Sequence, residues 1–297
     1  MSTDALSTVR AATTWQPPTL RAAHRCFGGE QRYYEHGSMA CGGPMRFGVF
    51  VPPGATPEQP APALYYLAGL TCTEETFAHK AGAQRLAAEL GLALVTPDTS
   101  PRAARYPGDD AAWDFGLGAG FYLDATQAPW AKTYRMRTYI TLELPAVVEG
   151  VAPIKRGRRG IMGHSMGGHG ALTLALTSGD LFASCSALAP ICAPTEVPWG
   201  QKAFAGYLGD DRTTWRIYDA AALIEGGARF PGELLVDQGT ADQFLERELH
   251  PHRLEAACAA SGQPLRLRRH DGYDHGYHFV ATVIDDHLRH HAAVLRR

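Results

Sequence analysis

A serine hydroxyl is a poor nucleophile until a neighbouring base takes its proton, and that base needs a third group to orient it. The stretch Gly160–Gly170 reads GIMGHSMGGHG, with Gly163 and Gly167 two residues either side of Ser165. This G-x-S-x-G spacing suits a strand that turns sharply into a helix and holds the serine hydroxyl out at the bend. Glycine is needed on both flanks because a side chain there would meet the returning helix. The pattern is short, so the partners downstream must carry the argument. In a chain of this kind the order is serine, then acid, then histidine.

Two later loops supply those types. The apolar run 232–236 ends in Asp237–Gln238–Gly239–Thr240–Ala241–Asp242, and the run 265–269 ends in His270–Asp271–Gly272–Tyr273–Asp274–His275–Gly276–Tyr277–His278. Position leaves Asp237 and Asp242 both open: the first sits at the strand end, and the second would also serve as a helix N-cap. Of His270, His275 and His278, His275 is favoured, being centred in a Gly- and Asp-rich loop with freedom to reach across.

These loops need a scaffold, and the pattern of apolar runs predicts one. Strands are expected at 32–36, 45–51, 63–68, 92–95, 160–162, 184–189, 232–236 and 265–269. Helices are expected near 84–90, 135–148, 166–176, 243–260 (broken by Pro251) and 279–295. The first two strands read as antiparallel, with glycine turns. Strands alternating with helices thereafter predict an α/β fold, a mostly parallel sheet covered on both faces, with the serine, acid and histidine loops on its carboxyl edge. No repeat or interdomain linker breaks the pattern, so one domain is expected over 1–297, with about the first 20 residues a flexible tail. The segment 100–130 is rich in Gly, Pro and aromatics and reads as a loop packed over something. Its Gly116-x-Gly118-x-Gly120 lacks the preceding strand of a dinucleotide site.

Formal net charge is −2, with 28 basic and 30 acidic residues, so no electrostatic argument favours nucleic acid or a membrane surface. No apolar run approaches the roughly 20 residues of a membrane span, and no secretory leader is recognised at the N-terminus. Six cysteines without close pairs fit reduced thiols in a cytoplasmic enzyme rather than a disulfide framework. His287, His290 and His291 lack accompanying ligands and read as a solvated helix face rather than a metal site. No metal and no cofactor is expected.

Seven strings then make the reading specific: LAGLTCTEETF (67–77), DTSPR (98–102), WDFGLGAGFYLDAT (113–126), PWAKTYRMRTYITLELP (129–145), GHSMGGHGAL (163–172), DQGTADQFL (237–245) and GYDHGY (272–277). In these the chain resembles the S-formylglutathione hydrolases, the esterase D family of the α/β-hydrolase superfamily, from about residue 24 onward. It departs from that family at 102–112. The resemblance implies Ser165 as nucleophile, Asp242 as orienting acid, His275 as base, and the backbone N–H groups of Leu70 and Met166 as oxyanion hole. It places Cys72 near the site as a modulating thiol rather than a nucleophile, and Trp113 on the acyl pocket wall. His164 counts as a pocket candidate, although as an elbow residue it reads as structural. The implied activity is hydrolysis of S-formylglutathione to formate and glutathione, by a protein similar to homodimeric enzymes. A broader short-chain carboxylesterase is the alternative; a non-catalytic binding protein on the same fold is a remote one. Glutathione's carboxylates leave Lys80, Arg105, Lys132 and Arg135 as candidate contacts.

Overall fold

A computed structural model describes residues 16–297. Nine strands form one sheet in the order β1-β2-β3-β5-β4-β6-β7-β8-β9. In chain order they are β1 (Gln16–Cys26), β2 (Gly29–Ser38), β3 (Gly43–Val51), β4 (Ala61–Leu67), β5 (Ala93–Pro97), β6 (Ile154–His164), β7 (Ser184–Leu188), β8 (Leu234–Gly239) and β9 (Leu265–His270). β1, β2 and β3 run antiparallel to one another, and β3 joins β5 antiparallel. From β5 to β9 every pairing is parallel. The expected α/β architecture is therefore present, with an antiparallel edge added. One expectation fails: residues 16–20, read as tail, open strand β1. The rest of that expected tail lies outside the described residues. Alternation is blurred in β1 because few of its side chains are buried, and an edge strand exposed on both faces carries no period-2 signal.

The helices are α1 (Thr76–Lys80), α2 (Gln84–Leu90), α3 (Met136–Thr138), α4 (Leu144–Val151), α5 (Met166–Thr177), α6 (Pro198–Leu208), α7 (Ala220–Glu225), α8 (Pro251–Ser261) and α9 (Tyr277–Leu295). A single π turn over Tyr139–Glu143 joins α3 to α4. Pro251 sits at the start of α8, where its missing N–H costs nothing, and a separate π turn over Leu245–Leu249 precedes it. β4, β5, β7 and β8 are almost wholly buried, as continuous apolar runs in a covered parallel sheet should be. Side chains of β7 show which helix covers which face. Cys185 reaches the Ala171 carbonyl in α5, whereas Ser184 and Ser186 point the other way into α9.

α9 overturns a second expectation. His287 and His291, read as a solvated face, are fully buried against the sheet. Their partners are polar: His291 Nδ1 lies 2.6 Å from Ser184 Oγ and its Nε2 2.8 Å from Ser186 Oγ. His287 Nδ1 lies 2.8 Å from Ser186 Oγ and its Nε2 3.0 Å from Asp237 Oδ2. Buried imidazoles survive in a core when both nitrogens are satisfied, and that satisfaction comes from strands distant in sequence.

Candidate active site

Five chain segments leave the carboxyl edge of the parallel strands and meet there. After β4 comes the loop 68–75, after β5 the segment 98–102, after β6 Ser165, after β8 Asp242, and after β9 His275. Ser165 is the tip of the turn between β6 and α5, with φ 57° and ψ −119°. A non-glycine residue held at positive φ costs of order 1–3 kcal/mol and persists only where the surroundings over-determine it. Here they do. A Cβ on Gly163 would lie 2.1 Å from the Gly167 carbonyl oxygen, and one on Gly167 would lie 1.9 Å from the Leu67 carbonyl oxygen. The glycines let strand and helix touch at the bend, and the Ser165 N–H is anchored on the Leu188 carbonyl at 2.9 Å.

Ser165 and His275 line the same cavity of about 150 Å³, with Gly69, Leu70 and Cys72 on the loop side. His275 Nδ1 lies 2.6 Å from Asp242 Oδ2. That carboxylate is fixed from two further directions: Gln238 Nε2 donates to Oδ2 at 3.1 Å and the Phe244 N–H donates to Oδ1 at 2.8 Å. Asp242 therefore also holds the turn that follows it, but it is not a helix cap: the π turn Leu245–Leu249 has Phe244 at that position, without a side-chain bond. Asp237, the other candidate, is on β8 itself and faces away. Its fully buried carboxylate takes a fork from Arg268 at 2.6 and 2.5 Å together with the bond from His287. Burial alone would raise its pKa, but His287 and Arg268 overcome that and hold it well below the usual carboxylate range.

Two arrays of Ser, His and Asp thus stand among the described residues. Ser186, His287 and Asp237 are fully buried in the core, on β7, α9 and β8. Ser165, His275 and Asp242 meet at a strained turn beside an open cavity. Accessibility separates a structural network from a candidate nucleophile.

Of the other expected pocket residues, Cys72, Trp113 and His164 all line the cavity. Cys72 is half-buried, and burial pushes its thiol pKa up, so it is protonated at neutral pH. Trp113 stands largely exposed at the rim, edge-on to Trp199 at 5.4 Å. The His164 ring lies 4.6 Å from that of His275. Burial first, and the neighbouring His275 charge second, drive its pKa well below the ordinary histidine value, so it stays neutral. Leu70 is on the loop and Met166 is the first residue of α5, and neither backbone N–H donates to another described residue. For Met166 a free donor is the expected condition of a helix start.

Sequence reasoning missed three wall residues. Trp199 opens α6, Phe244 stands edge-on to the His275 ring at 5.0 Å, and Tyr277 shares a hydroxyl contact of 3.1 Å with Tyr66. Phe244 and Tyr277 are within two residues of Asp242 and His275, and that proximity was the available signal. Trp199 had none, since only the folded position of α6 brings it to the cavity. Of the four candidate cations, Arg105 is committed to Asp109 and Asp110. Lys80 does not line the cavity but stands over the ring of Tyr277, which does, 5.7 Å from its centroid. Among the described residues no group of three or more His, Cys, Asp and Glu side chains could hold a metal ion.

Sheet order, nucleophile turn and acid–histidine pair together define an α/β-hydrolase. The chain belongs to the esterase family, whose model matches residues 38–290. Within that family it is similar to S-formylglutathione hydrolases. The mouse protein is 48% identical over 275 residues, 92% of this chain and 97% of that protein. The Paracoccus denitrificans protein is 50% identical over 269 residues, 91% of this chain and 95% of that protein. A solved S-formylglutathione hydrolase from Agrobacterium tumefaciens superposes with a TM-score of 0.91 at 48% identity, covering 93% of this chain and 99% of that one.

Proposed function

We propose that the protein is a serine thioesterase that hydrolyses S-formylglutathione to formate and glutathione. The observation that carries this is the 2.6 Å contact of His275 with Asp242 beside Ser165 in one small cavity; the likeness to enzymes of that name directs it to a glutathione thioester. Ser165 Oγ attacks the formyl carbon while His275 accepts its proton. Asp242 holds the imidazole in the tautomer whose free nitrogen faces the serine and stabilises the imidazolium. The oxyanion is received by the N–H groups of Leu70 and Met166. Collapse breaks the C–S bond, and glutathione takes the proton from His275 as it leaves as the thiol, which returns the imidazole to its neutral form. Water then attacks the formyl ester, losing its proton to His275, and a second collapse frees formate and returns the proton to Ser165.

A cavity of about 150 Å³ suits a short acyl group. One continuous sheet over the described residues supports a single catalytic domain. Six free cysteines support a reducing, cytoplasmic setting, no helix among the described residues is long and apolar enough to cross a membrane, and we read the enzyme as a homodimer. The test compares kcat/KM for S-formylglutathione and p-nitrophenyl acetate, with Ser165→Ala as control. The thioester is expected to be strongly preferred and the variant to lose about a millionfold in kcat. Equal or better turnover of the simple ester makes the protein a general carboxylesterase, and an active variant removes Ser165 from the chemistry.

A further inference from the structure

The string Asp98–Arg102 takes no part in the chemistry above, and neither Thr99, Ser100 nor Arg102 lines the catalytic cavity. All three reach the loop that carries Leu70. Thr99 Oγ1 donates to the Cys72 carbonyl at 2.6 Å, and Arg102 Nη2 donates to the same oxygen at 2.9 Å. Arg102 is itself aimed by a fork onto Asp98, at 2.7 and 2.9 Å. Ser100 acts through one more link: its Oγ accepts the Gly118 N–H at 2.8 Å, and the Gly118 carbonyl accepts the Thr71 N–H at 2.9 Å. Gly118 has φ +75°, and a Cβ there would stand 3.0 Å from Thr71 Cα, so that strand of loop can close only as glycine. Thr71 is at φ 67°, a left-handed conformation for a β-branched residue. Asp98, Thr99 and Ser100 are all buried.

We infer that Thr99, Ser100 and Arg102 are positioning residues that clamp the oxyanion loop through the Cys72 carbonyl and the Thr71 amide. This rests on the reading of Leu70 as an oxyanion donor. Two donors on one carbonyl fix the peptide between Cys72 and Thr73, the Thr71–Gly118 bond fixes the peptide between Leu70 and Thr71, and the Cys72 N–H closes the turn on the Gly69 carbonyl at 3.3 Å. Leu70 N–H is thereby aimed without any side chain of the clamp touching substrate. Strained backbone at a functional site persists only when its surroundings hold it, and displacing an oxyanion donor costs about 10²–10³ in rate. Arg102 also borders a second cavity of about 490 Å³ on the far side of the loop, between Glu35, Arg46 and Glu74. A small guanidinium ion in solution can reach the place of its head group through that cavity.

The test uses Thr99→Val, which removes one donor at nearly constant shape, and Arg102→Ala with and without methylguanidinium. Each variant is expected to lower kcat about 10- to 100-fold with KM and Tm nearly unchanged, and to slow labelling by a fluorophosphonate in proportion. Methylguanidinium, at concentrations that leave the wild-type rate alone, is expected to restore part of the Arg102→Ala rate. Should Arg102→Ala not fold, Thr99→Val decides alone. Normal kcat in Thr99→Val overturns the inference, as does a loss that follows KM or Tm instead of kcat; in either case an inactive Ser165→Ala leaves the thioesterase reading standing. An active Ser165→Ala overturns that reading itself.

Discussion

Asp242 Oδ2 and His275 Nδ1 lie 2.6 Å apart, across 33 residues of chain, whereas Asp237, on the same strand-and-loop unit, is bound to Arg268 and His287 in the core. The two carboxylates should separate activity from stability. Asp242→Asn keeps an acceptor for the Phe244 N–H but leaves His275 with the wrong tautomer, so kcat is expected to fall by about 10⁴ with Tm little changed. Asp237→Asn leaves Arg268 with Asp286 alone and weakens the buried bond to His287, and is expected to cost about 1–3 kcal/mol of stability, while protein that remains folded keeps its turnover. Thermal denaturation and steady-state kinetics on the two variants check this; the reverse pattern would exchange their assignments.

Lys80 makes no ion pair with a described residue and stands over Tyr277, a wall of the cavity. A glutathione thioester carries carboxylates, and p-nitrophenyl acetate carries none. Lys80→Glu is therefore expected to raise KM for S-formylglutathione about 5- to 10-fold at low salt, an electrostatic effect of roughly 1 kcal/mol, and to leave the ester unaffected. Raising ionic strength should shrink the difference, because exposed charges are screened over about 10 Å at 0.1 M salt. An equal change for both substrates removes Lys80 from glutathione recognition.

Much of this site was legible before folding, because its parts are local. Ser165 and its glycines are one turn, and the acid and base loops each follow an expected strand, an apolar run at 234–236 and the alternating Leu–Arg run at 265–268. Asp237 against Asp242 was not legible, since both stand at the end of one strand and only the partners Arg268, His287 and His275, supplied by β9, α9 and the loop after β9, tell them apart. His287 and His291 misled for a related reason. Polar side chains on a terminal helix look solvated until Ser184 and Ser186, about a hundred residues earlier, are seen across from them. The run Asp98–Arg102 could be noticed as a string but not interpreted, because its targets are backbone atoms of other loops.

Cys72 is near the reacting atoms but bears no part of the mechanism above. Cys72→Ala is expected to keep kcat/KM within about threefold, as small changes at non-reacting contacts do. Its thiol is protonated at neutral pH because burial pushes the pKa up, and only the thiolate alkylates. Inactivation of the native protein by N-ethylmaleimide should therefore be slow at pH 7, accelerate as pH rises, and vanish in Cys72→Ala. A variant as sensitive as the native protein would assign the effect to another cysteine.

Stability should fall on mild acidification. His164, His169, His287 and His291 are buried and neutral, each held below the ordinary histidine pKa of 6.5 first by loss of solvent, with His169 brought down to about 4. A group whose folded pKa is depressed contributes stability that is complete above its unfolded pKa and is lost as pH falls towards the folded one. The window therefore opens near pH 6.5 and extends to about 4 for His169. Glu74 opposes it, because burial first and then Asp98 push it up to about 7, so its contribution is lost as pH rises. Asp219 and Glu248 are also raised, burial first, while His36 and His290 are also lowered, burial first. Three such carboxylates against six histidines leave the net effect in the acid direction, while Asp237 matters only below about pH 4. Each histidine steepens the slope by up to about 1.4 kcal/mol per pH unit, so Tm is expected to drop by roughly 10 °C or more between pH 6.5 and 5. His169→Gln, whose amide can still donate to the Phe121 carbonyl that His169 Nε2 meets at 3.0 Å, should flatten the slope by removing one titrating group. Scanning calorimetry across that range decides the matter. A Tm that holds level from pH 7 to 5, with no uptake of protons on unfolding, would mean that these histidines titrate in the folded core as they do in the open chain.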